Sequence, residues 1–219
     1  MNFFDAISRI RIVRKFQKKD IDDKIVGLLL HTATHALSAG NLQEWEFIVV
    51  KDTDVKKKLA DAALKLEHIY TAPIDIVVCA NVERAMLKYG KRGELVYAIE
   101  DAAQAALLLI VAANALGLGT DLVRAFDEEE IKGILNLPDS VRPIAIIPVG
   151  YPAEEGEINV RMPFENITYV NRYGNKIEIE FTPIRERLEI ALKRLHEQAK
   201  KRAPAKMLGF KDFLKQILK

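Results

Sequence analysis

The stretch that most constrains how this chain can fold is Ala102–Leu116 (AAQAALLLIVAANAL). As a helix it is apolar on nearly every face. It contains Gln104 and Asn114 and is shorter than the roughly 20 residues that cross a bilayer. A helix that is apolar all round is buried in a core or at a subunit interface. The rest of the chain therefore has to fold around this helix.

Apolar runs on both sides of this helix predict a layered fold. The predicted strands, rich in β-branched residues, are Glu46–Lys51, Ile74–Ala80, Leu118–Val123 and Pro143–Val149. The predicted helices are Asn2–Arg9, Ile21–Leu37 with Asp20 as its N-cap, Asp54–Lys65, Glu94–Leu116 and Glu128–Leu135. Alternating helices and strands predict an α/β or α+β layered sheet. Beyond Gly150 the sequence predicts an edge strand at Lys176–Phe181, an amphipathic helix from Ile184 to Ala199 and another from Met207.

Charge and cysteine content narrow the functional classes. The net charge of +2 is too small to indicate a nucleic-acid or membrane partner, although residues 183–219 carry +7 and the remainder −5. The single cysteine, Cys79, lies in an apolar run, so we expect a buried thiol and a reducing compartment. The first residues have no continuous apolar segment of the kind found in signal peptides, so we expect a cytoplasmic protein.

Several catalytic motifs are incomplete. His31 and His35 have the i, i+4 spacing of a zinc helix, but the glutamate between them and a third ligand are missing. Gly117 and Gly119 follow a helix rather than a strand, which indicates a helix C-cap rather than a dinucleotide loop. We therefore expect no metal site and no hydrolytic triad.

Two segments have complementary chemistry. The first, Arg9–Phe16, clusters cations in an apolar context, which suits a phosphate or another fixed anion, although a solvated basic edge has the same pattern. The second, Leu37–Trp45, combines small residues with the amides of Asn41 and Gln43. Such a segment can approach a flat ligand closely and hydrogen-bond its edge, although a capped turn also has this composition.

These segments, RIVRKF and SAGNLQEW, resemble the two N-terminal signatures of the FMN-dependent nitroreductase family, RRSxRxF and APSxxNxQPW. Later blocks resemble that family in the same order, and they are Tyr89–Gly93, Glu100–Ala106, Leu116–Thr120, Ala125–Asp127, Leu137–Asp139, Arg142–Pro143 and Ile147–Pro152. The resemblance covers residues 1–175. It implies an α+β fold with a central, mostly antiparallel sheet flanked by helices, in an interlocked homodimer. It also implies an FMN-binding domain over residues 1–175 and a C-terminal extension over 176–219.

The resemblance further implies an oxidoreductase that passes hydride from NAD(P)H through FMN N5 to a small acceptor such as a nitroaromatic, a quinone or a flavin, by ping-pong kinetics. It places FMN at the dimer interface, and the cofactor then performs the chemistry without a catalytic side chain. The cofactor-binding positions that it implies are Arg11, Arg14, Ser38, Ala39, Asn41, Gln43, Arg124, Ala125 and Arg161. Arg14 is similar to the family's cation near the ribityl chain and flavin O2, and Arg161 to the late basic residue at the phosphate, where Arg11 would join it.

Some positions depart from the family pattern. Ile10 and Ile12 stand where the family has Arg and Ser at the phosphate, Asn159 where a Lys is common, and Glu44 replaces the proline before Trp45. Arg124 stands where a glycine is frequent, in the segment whose backbone approaches flavin N5. These departures keep two alternatives open: other flavin chemistry in the same fold, such as reductive dehalogenation or flavin-consuming oxidation, or a non-catalytic module whose basic tail binds nucleic acid or an acidic protein.

Overall fold

The computed structural model describes residues 3–157 and 160–179 and divides the chain into two units, residues 1–160 and 161–219. In the first unit the helices are α1 (Phe3–Ser8), α2 (Asp23–Ala33), α3 (Thr53–Ala62), α4 (Glu67–Thr71), α5 (Val82–Arg92), α6 (Ala98–Ala115) and α7 (Glu128–Leu135). The strands are β1 (Trp45–Val50), β2 (Ile74–Asn81), β3 (Gly119–Thr120) and β4 (Val141–Gly150). The domain boundary predicted after residue 175 stays a prediction.

The four strands form one sheet in the order β1-β2-β4-β3, with every neighbouring pair antiparallel. Strand β2 is central: Trp45 on β1 pairs with Ala80, and Val149 on β4 pairs with Ile74. The predicted α+β fold, with an antiparallel sheet flanked by helices, is confirmed.

Alternation along β2 assigns its side chains to two cores. Ile76 and Val78 belong to a cluster with residues of α2 and α6, whereas Val77 and Cys79 belong to a cluster with residues of α3 and α7. Successive strand residues point to opposite faces, so both faces of the sheet are covered by helices. The predicted burial of Cys79 is confirmed, and burial, with a smaller effect from Glu46, raises the pKa of its thiol to about 12.

Helix α6 contributes most of the apolar helical surface of the first cluster. Its buried residues are Ala98, Asp101, Ala102, Ala105, Ala106, Leu109, Ile110 and Ala113. The stretch Val82–Ala115, which includes α5 and α6, is the one helical segment within residues 3–157 and 160–179 that is long and apolar enough to cross a membrane, and an 18-residue window of it has a mean hydropathy of 1.8. Its α6 part is packed into the core of this chain. The predicted C-cap is confirmed, because Gly117 has φ +77° and Leu118 N–H donates to Ala113 O at 2.9 Å.

Some predicted boundaries were wrong. Helix α2 is capped by Asp22 rather than Asp20, because Asp22 accepts the backbone N–H of Lys24 at 2.7 Å. It ends at Ala33 rather than Leu37. The long helix begins at Ala98, after a π-helical turn at Gly93–Tyr97, and the strand predicted at Leu118–Val123 is reduced to Gly119–Thr120 and a single bridge from Val123 to Ile146. Helices α4 and α5 were not predicted.

The segment Ile12–Gln17, which we call the N-terminal arm, lies between β3 and residues 151–157. Val13 N–H donates to Thr120 O at 3.0 Å, and Ile12 exchanges two backbone hydrogen bonds with Glu157. Gly119 permits this approach, since a Cβ there would lie 2.7 Å from the side chain of Val13. The N-terminal arm thereby connects β3 to residues 151–157, which follow β4.

In the second unit, described to residue 179, a 3₁₀ turn spans Phe164–Asn166. Tyr169 forms an antiparallel bridge with Lys176, and its ring packs on Tyr173 with centroids 4.4 Å apart. Within the strand predicted at Lys176–Phe181, Lys176 forms this bridge and Ile177 N–H donates to Thr168 O at 3.2 Å. The remainder of that strand and the two predicted tail helices lie outside the described residues.

Candidate cofactor site

Arg14 is held in place by the strand-like arm on which it lies. Glu154 Oε1 accepts the backbone N–H groups of Arg14 and Lys15 at 2.9 and 3.1 Å. The guanidinium contacts Asp121 Oδ2 through Nε at 3.4 Å and Glu157 Oε1 through Nη1 at 3.2 Å. The side chain stays 48% exposed. Arg14 is therefore a positioned cation that an external anion can reach.

Asp121 connects Arg14 to a buried histidine. The carboxylate is 11% exposed, and His68 Nε2 on α4 lies 3.0 Å from its Oδ2. Burial acts to raise the pKa of Asp121, but His68, the backbone N–H of Leu122 and the charge of Arg14 together lower it below its ordinary value. Asp121 is therefore ionised at neutral pH, and its charge orients the guanidinium of Arg14.

Residues 10–12, at the start of the arm and just before it, bear on the predicted phosphate position. Arg11 Nη1 donates to the carbonyls of Ser8 and Ile10, each at 3.0 Å, so part of its donor capacity is already used. Ile10 packs against the core, and Ile12 forms backbone bridges with Thr120 and Glu157. The two isoleucines therefore fix the arm where the family pattern has phosphate ligands. A cavity of about 240 Å³ lies beside the arm, and it is lined by Arg9, Ile10, Arg11, Val13, Asn114, Gly117, Leu118, Gly119, Thr120, Pro152, Glu154 and Glu155.

The second predicted segment forms a tight loop, residues 38–43, which we call the cofactor loop. Gly40, Asn41 and Gln43 have φ values of +57°, +59° and +57°. Glycine and asparagine accept this left-handed conformation readily, whereas a glutamine there is strained and needs support from its surroundings. Ser38 Oγ supplies part of that support by accepting the backbone N–H of Gln43 at 3.0 Å. The side chains of Asn41 and Gln43 are exposed, so their amides are available to a ligand.

Helices α5 and α6 hold the cofactor loop from the protein side. Arg84 Nη1 donates to Gln43 O at 2.7 Å, Lys88 Nζ donates to Gly40 O at 3.3 Å, and Asp101 Oδ2 accepts Ala39 N–H at 2.8 Å. A Cβ at Gly40 would lie 2.2 Å from Tyr89 Oη, so a larger residue would displace that side chain, and the positive φ also favours glycine there. The loop is thus anchored at three of its residues.

The predicted residues form separate groups within one chain. Ser38, Ala39, Asn41 and Gln43 lie together in the cofactor loop, and Arg11 and Arg14 lie on or beside the arm. Within the described residues, no hydrogen bond or ion pair joins these two groups. Arg124 and Ala125 are exposed after β3, and Arg161 is exposed in the second unit.

Sequence reasoning missed the residues that orient the predicted ones. Asp121, Glu154 and Glu157 contact Arg14 or its backbone across more than 100 positions, and Arg84 and Lys88 lie on the unpredicted helix α5. No spacing rule connects such pairs.

Metal ligation has no support in the described part of the chain. His31 and His35 contact each other edge to face with ring centroids 4.8 Å apart, and His35 Nδ1 lies 2.9 Å from His31 O. Residues 3–157 and 160–179 contain no group of three or more His, Cys, Asp or Glu that could hold an ion.

Comparison with known proteins agrees in sequence and in fold. Residues 7–68 and 62–151 match the model of the nitroreductase family. A Thermus thermophilus protein described as NADH dehydrogenase is 30% identical over 189 residues, which cover 74% of this chain and 92% of that protein. The crystal structure of a putative NADH oxidase from Clostridium acetobutylicum has 30% identity and a TM-score of 0.65, covering 77% of this chain and 99% of the other. NfrA2 of B. megaterium, at 24% identity, shows the same fold with a TM-score of 0.73, covering 100% of this chain and 92% of that one.

Proposed function

Because this chain belongs to the nitroreductase family and is therefore an oxidoreductase, we propose that it binds FMN and uses NAD(P)H to reduce a small acceptor by ping-pong kinetics. The observation that carries the proposal is Arg14, a half-exposed cation fixed on the arm at the position that resembles the family's flavin-contacting cation. When bound, FMN would supply the hydride chemistry, taking hydride from the nicotinamide and giving it to the acceptor.

The donor set of this chain fits such a cofactor. The guanidinium of Arg14 would stabilise negative charge at flavin O2, and the exposed amides of Asn41 and Gln43 would donate to or accept from the edge of the ring. Gly40 has no side chain, so the backbone of the loop could lie close to a flat ring. Arg11 and Arg161 are the cations available for the phosphate, and Ile10 and Ile12 provide none.

A homodimer would bring the two groups of residues together. The cofactor loop contacts α5 and α6, whereas Arg14 contacts Asp121 and Glu157. We propose that the loop of one protomer completes the FMN site built around Arg14 of its partner, at an interlocked interface. Exposed apolar side chains on α5 and α6, namely Met86, Leu87 and Leu107, are suited to burial in such an interface.

The acceptor is proposed as a small nitroaromatic, a quinone or a flavin, in a cytoplasmic enzyme. Arg124 is exposed next to Ala125, in the segment that resembles the family's N5-contacting backbone, and its long cation would favour an anionic acceptor. Reductive dehalogenation and flavin-consuming oxidation use the same site and would be recognised by their products.

An absorption spectrum tests the proposal directly. The purified protein, or the protein reconstituted with FMN, is expected to be yellow, and its flavin absorbance is expected to bleach when NADH or NADPH is added without oxygen. A protein that stays colourless after reconstitution would refute FMN binding. Bleaching by dithionite but by neither nicotinamide would refute the proposed electron donor.

The placement of the site is tested by an arginine pair. Arg14→Ala is expected to weaken FMN binding about 10- to 100-fold, because a charge-assisted hydrogen bond contributes about 1.5–3 kcal/mol. Arg142→Ala is the matched control, since Arg142 is 41% exposed and also ion-paired, with Glu128, but lies on β4 beside α7. Equal losses in both variants would show that Arg14 is not a cofactor ligand. Fluorescence titration of flavin-free protein measures both affinities.

A further inference from the structure

Glu44 is a buried acid for which the proposed chemistry has no use. It lies between the cofactor loop and β1, and its side chain is 0% exposed. Both of its carboxylate oxygens are buried, and neither has a hydrogen-bond partner of regular geometry among the described residues. Its backbone carbonyl accepts Asn81 N–H at 2.7 Å, which fixes the residue against the end of β2. An ionised carboxylate without a donor is expensive to bury, so its surroundings must supply a proton or a charge.

The neighbouring group that interacts with Glu44 is another carboxyl. Asp101 on α6 is 4% exposed, and its Oδ2 accepts the backbone N–H of Ala39 in the cofactor loop. Burial is the main cause that raises the pKa of Glu44. Its own backbone N–H lowers the pKa, the neighbouring carboxyl of Asp101 raises it again, and the net shift is upward. Two carboxyl groups can hydrogen-bond each other only if one carries a proton. A proton on Glu44 would therefore allow a hydrogen bond between the two carboxyl groups, between α6 and the loop.

The cations near this pair do not neutralise it. Arg84 on α5 lowers the pKa of Glu44, but its guanidinium donates to Gln43 O and lies 3.3 Å from Glu46 Oε1 on β1. Lys88 Nζ donates to Gly40 O. Among the described residues, Asp101 and Arg84 are the charged side chains that act on the pKa of Glu44, and the loop itself has no titratable side chain. A proton shared by Glu44 and Asp101 would relieve the repulsion between their two carboxyl groups.

We propose that Glu44 and Asp101 form a proton-sharing carboxyl pair that positions the cofactor loop. When the pair loses this proton, the loop binds the cofactor more weakly. Once both acids are ionised, their repulsion favours hydration of one carboxylate, and the anchor at Ala39 N–H weakens. Gln43, at φ +57°, then has less support for its conformation. The effect on the cofactor rests on the proposed function, whereas the effect on the loop does not. Both residues are positioning residues, since neither is expected to touch the reacting atoms.

The first test is FMN affinity as a function of pH, measured by fluorescence quenching of the flavin-free protein from pH 5 to pH 9. Glu44→Gln supplies a permanent amide donor to Asp101, so its Kd should follow only the titration of FMN itself. The wild-type Kd should rise relative to that of Glu44→Gln by about tenfold for each pH unit above the titration of the pair, because one proton is linked to binding. Glu46→Gln is the matched control, a half-exposed acid near the same arginine, and it should keep the wild-type profile. A constant ratio of wild-type to Glu44→Gln Kd across the range would overturn the proposal.

The second test does not use FMN. Amide hydrogen exchange at Ala39 in the flavin-free protein should lose protection with rising pH in the wild type and keep it in Glu44→Gln, after correction for base catalysis. Asp101→Asn, which retains an acceptor for Ala39 N–H and offers an amide to Glu44, serves as a second variant and should also keep protection. Identical Ala39 protection in wild type and both variants at every pH would overturn the pair. pH-dependent protection in a protein that binds no FMN would instead refute the proposed function and leave the pair intact.

Discussion

Asp121→Asn is the substitution that most directly tests how the candidate site is built. The asparagine keeps the shape of the side chain and an acceptor for the backbone N–H of Leu122, which Asp121 Oδ1 accepts at 2.8 Å. It removes the charge that lies 3.0 Å from His68 Nε2 and 3.4 Å from Arg14 Nε. The change therefore isolates the electrostatic part of the Asp121 contacts.

The two contacts differ in strength because their surroundings differ. His68 and Asp121 are both largely buried, and an interaction of a buried charged group contributes about 1.5–3 kcal/mol. Arg14 is half-exposed, so its ion pair contributes about 0–1 kcal/mol after screening by solvent. The asparagine can still accept or donate one hydrogen bond, which recovers part of the loss. We expect the free energy of unfolding to fall by about 2 kcal/mol at pH 7.

The contribution of Asp121 to the free energy of unfolding depends on pH. The pKa of Asp121 is lower in the folded protein than its ordinary value of 3.8, so its stabilisation is complete above the unfolded pKa and is lost as pH falls through the folded pKa. Urea denaturation at pH 7, 5 and 3.5 should show a difference between wild type and Asp121→Asn that is largest at pH 7 and 5 and begins to shrink at pH 3.5. Asp61→Asn, an exposed acid on α3, should not alter stability. A loss of under 0.5 kcal/mol at pH 7, or a loss that grows as pH falls from 5 to 3.5, would refute the reasoning.

Three further predictions concern packing. Leu109→Ala empties a fully buried site on α6 and should lower the free energy of unfolding by about 2–5 kcal/mol in urea titrations, and a loss under 1 kcal/mol would contradict the assigned core. Gly119→Ala places a Cβ 2.7 Å from Val13 and should cost about 1–3 kcal/mol, whereas Gly133→Ala on α7, with open space around it, should be neutral or stabilising. Cys79, buried with a thiol pKa of about 12, should react with a thiol reagent at pH 8 only in denaturant, and rapid native labelling would contradict its burial.

The sequence predicts the elements whose patterns are local. Strand β2 and helix α7 were predicted closely, since a β-branched run and an acid-capped amphipathic segment each have one dominant interpretation. Helix α5 was missed because its sequence is highly charged and contains Gly90, which has φ +59° and interrupts the helix. The choice between Asp20 and Asp22 as N-cap could not be made from residue type, since both are good caps.

Only the residues of the candidate site that lie in sequence motifs could be predicted. Arg14, Asn41 and Gln43 were found by likeness to family signatures, which fixes residue type and position. The partners of Arg14 lie 107 to 143 residues away in the chain, and only tertiary structure brings them together. Glu44 was recognised as a departure from the pattern, but its complete burial next to Asp101 depends on how α6 packs against the cofactor loop.

The position of the N-terminal arm has a consequence for the order of folding. The arm is translated before Glu154 and Glu157, which bind the backbone and guanidinium of Arg14 and are separated from it by 140 and 143 positions. During translation Arg14 lacks its contacts with Glu154 and Glu157 until β4 and the segment after it have left the ribosome. The arm is therefore translated well before the residues that complete its contacts.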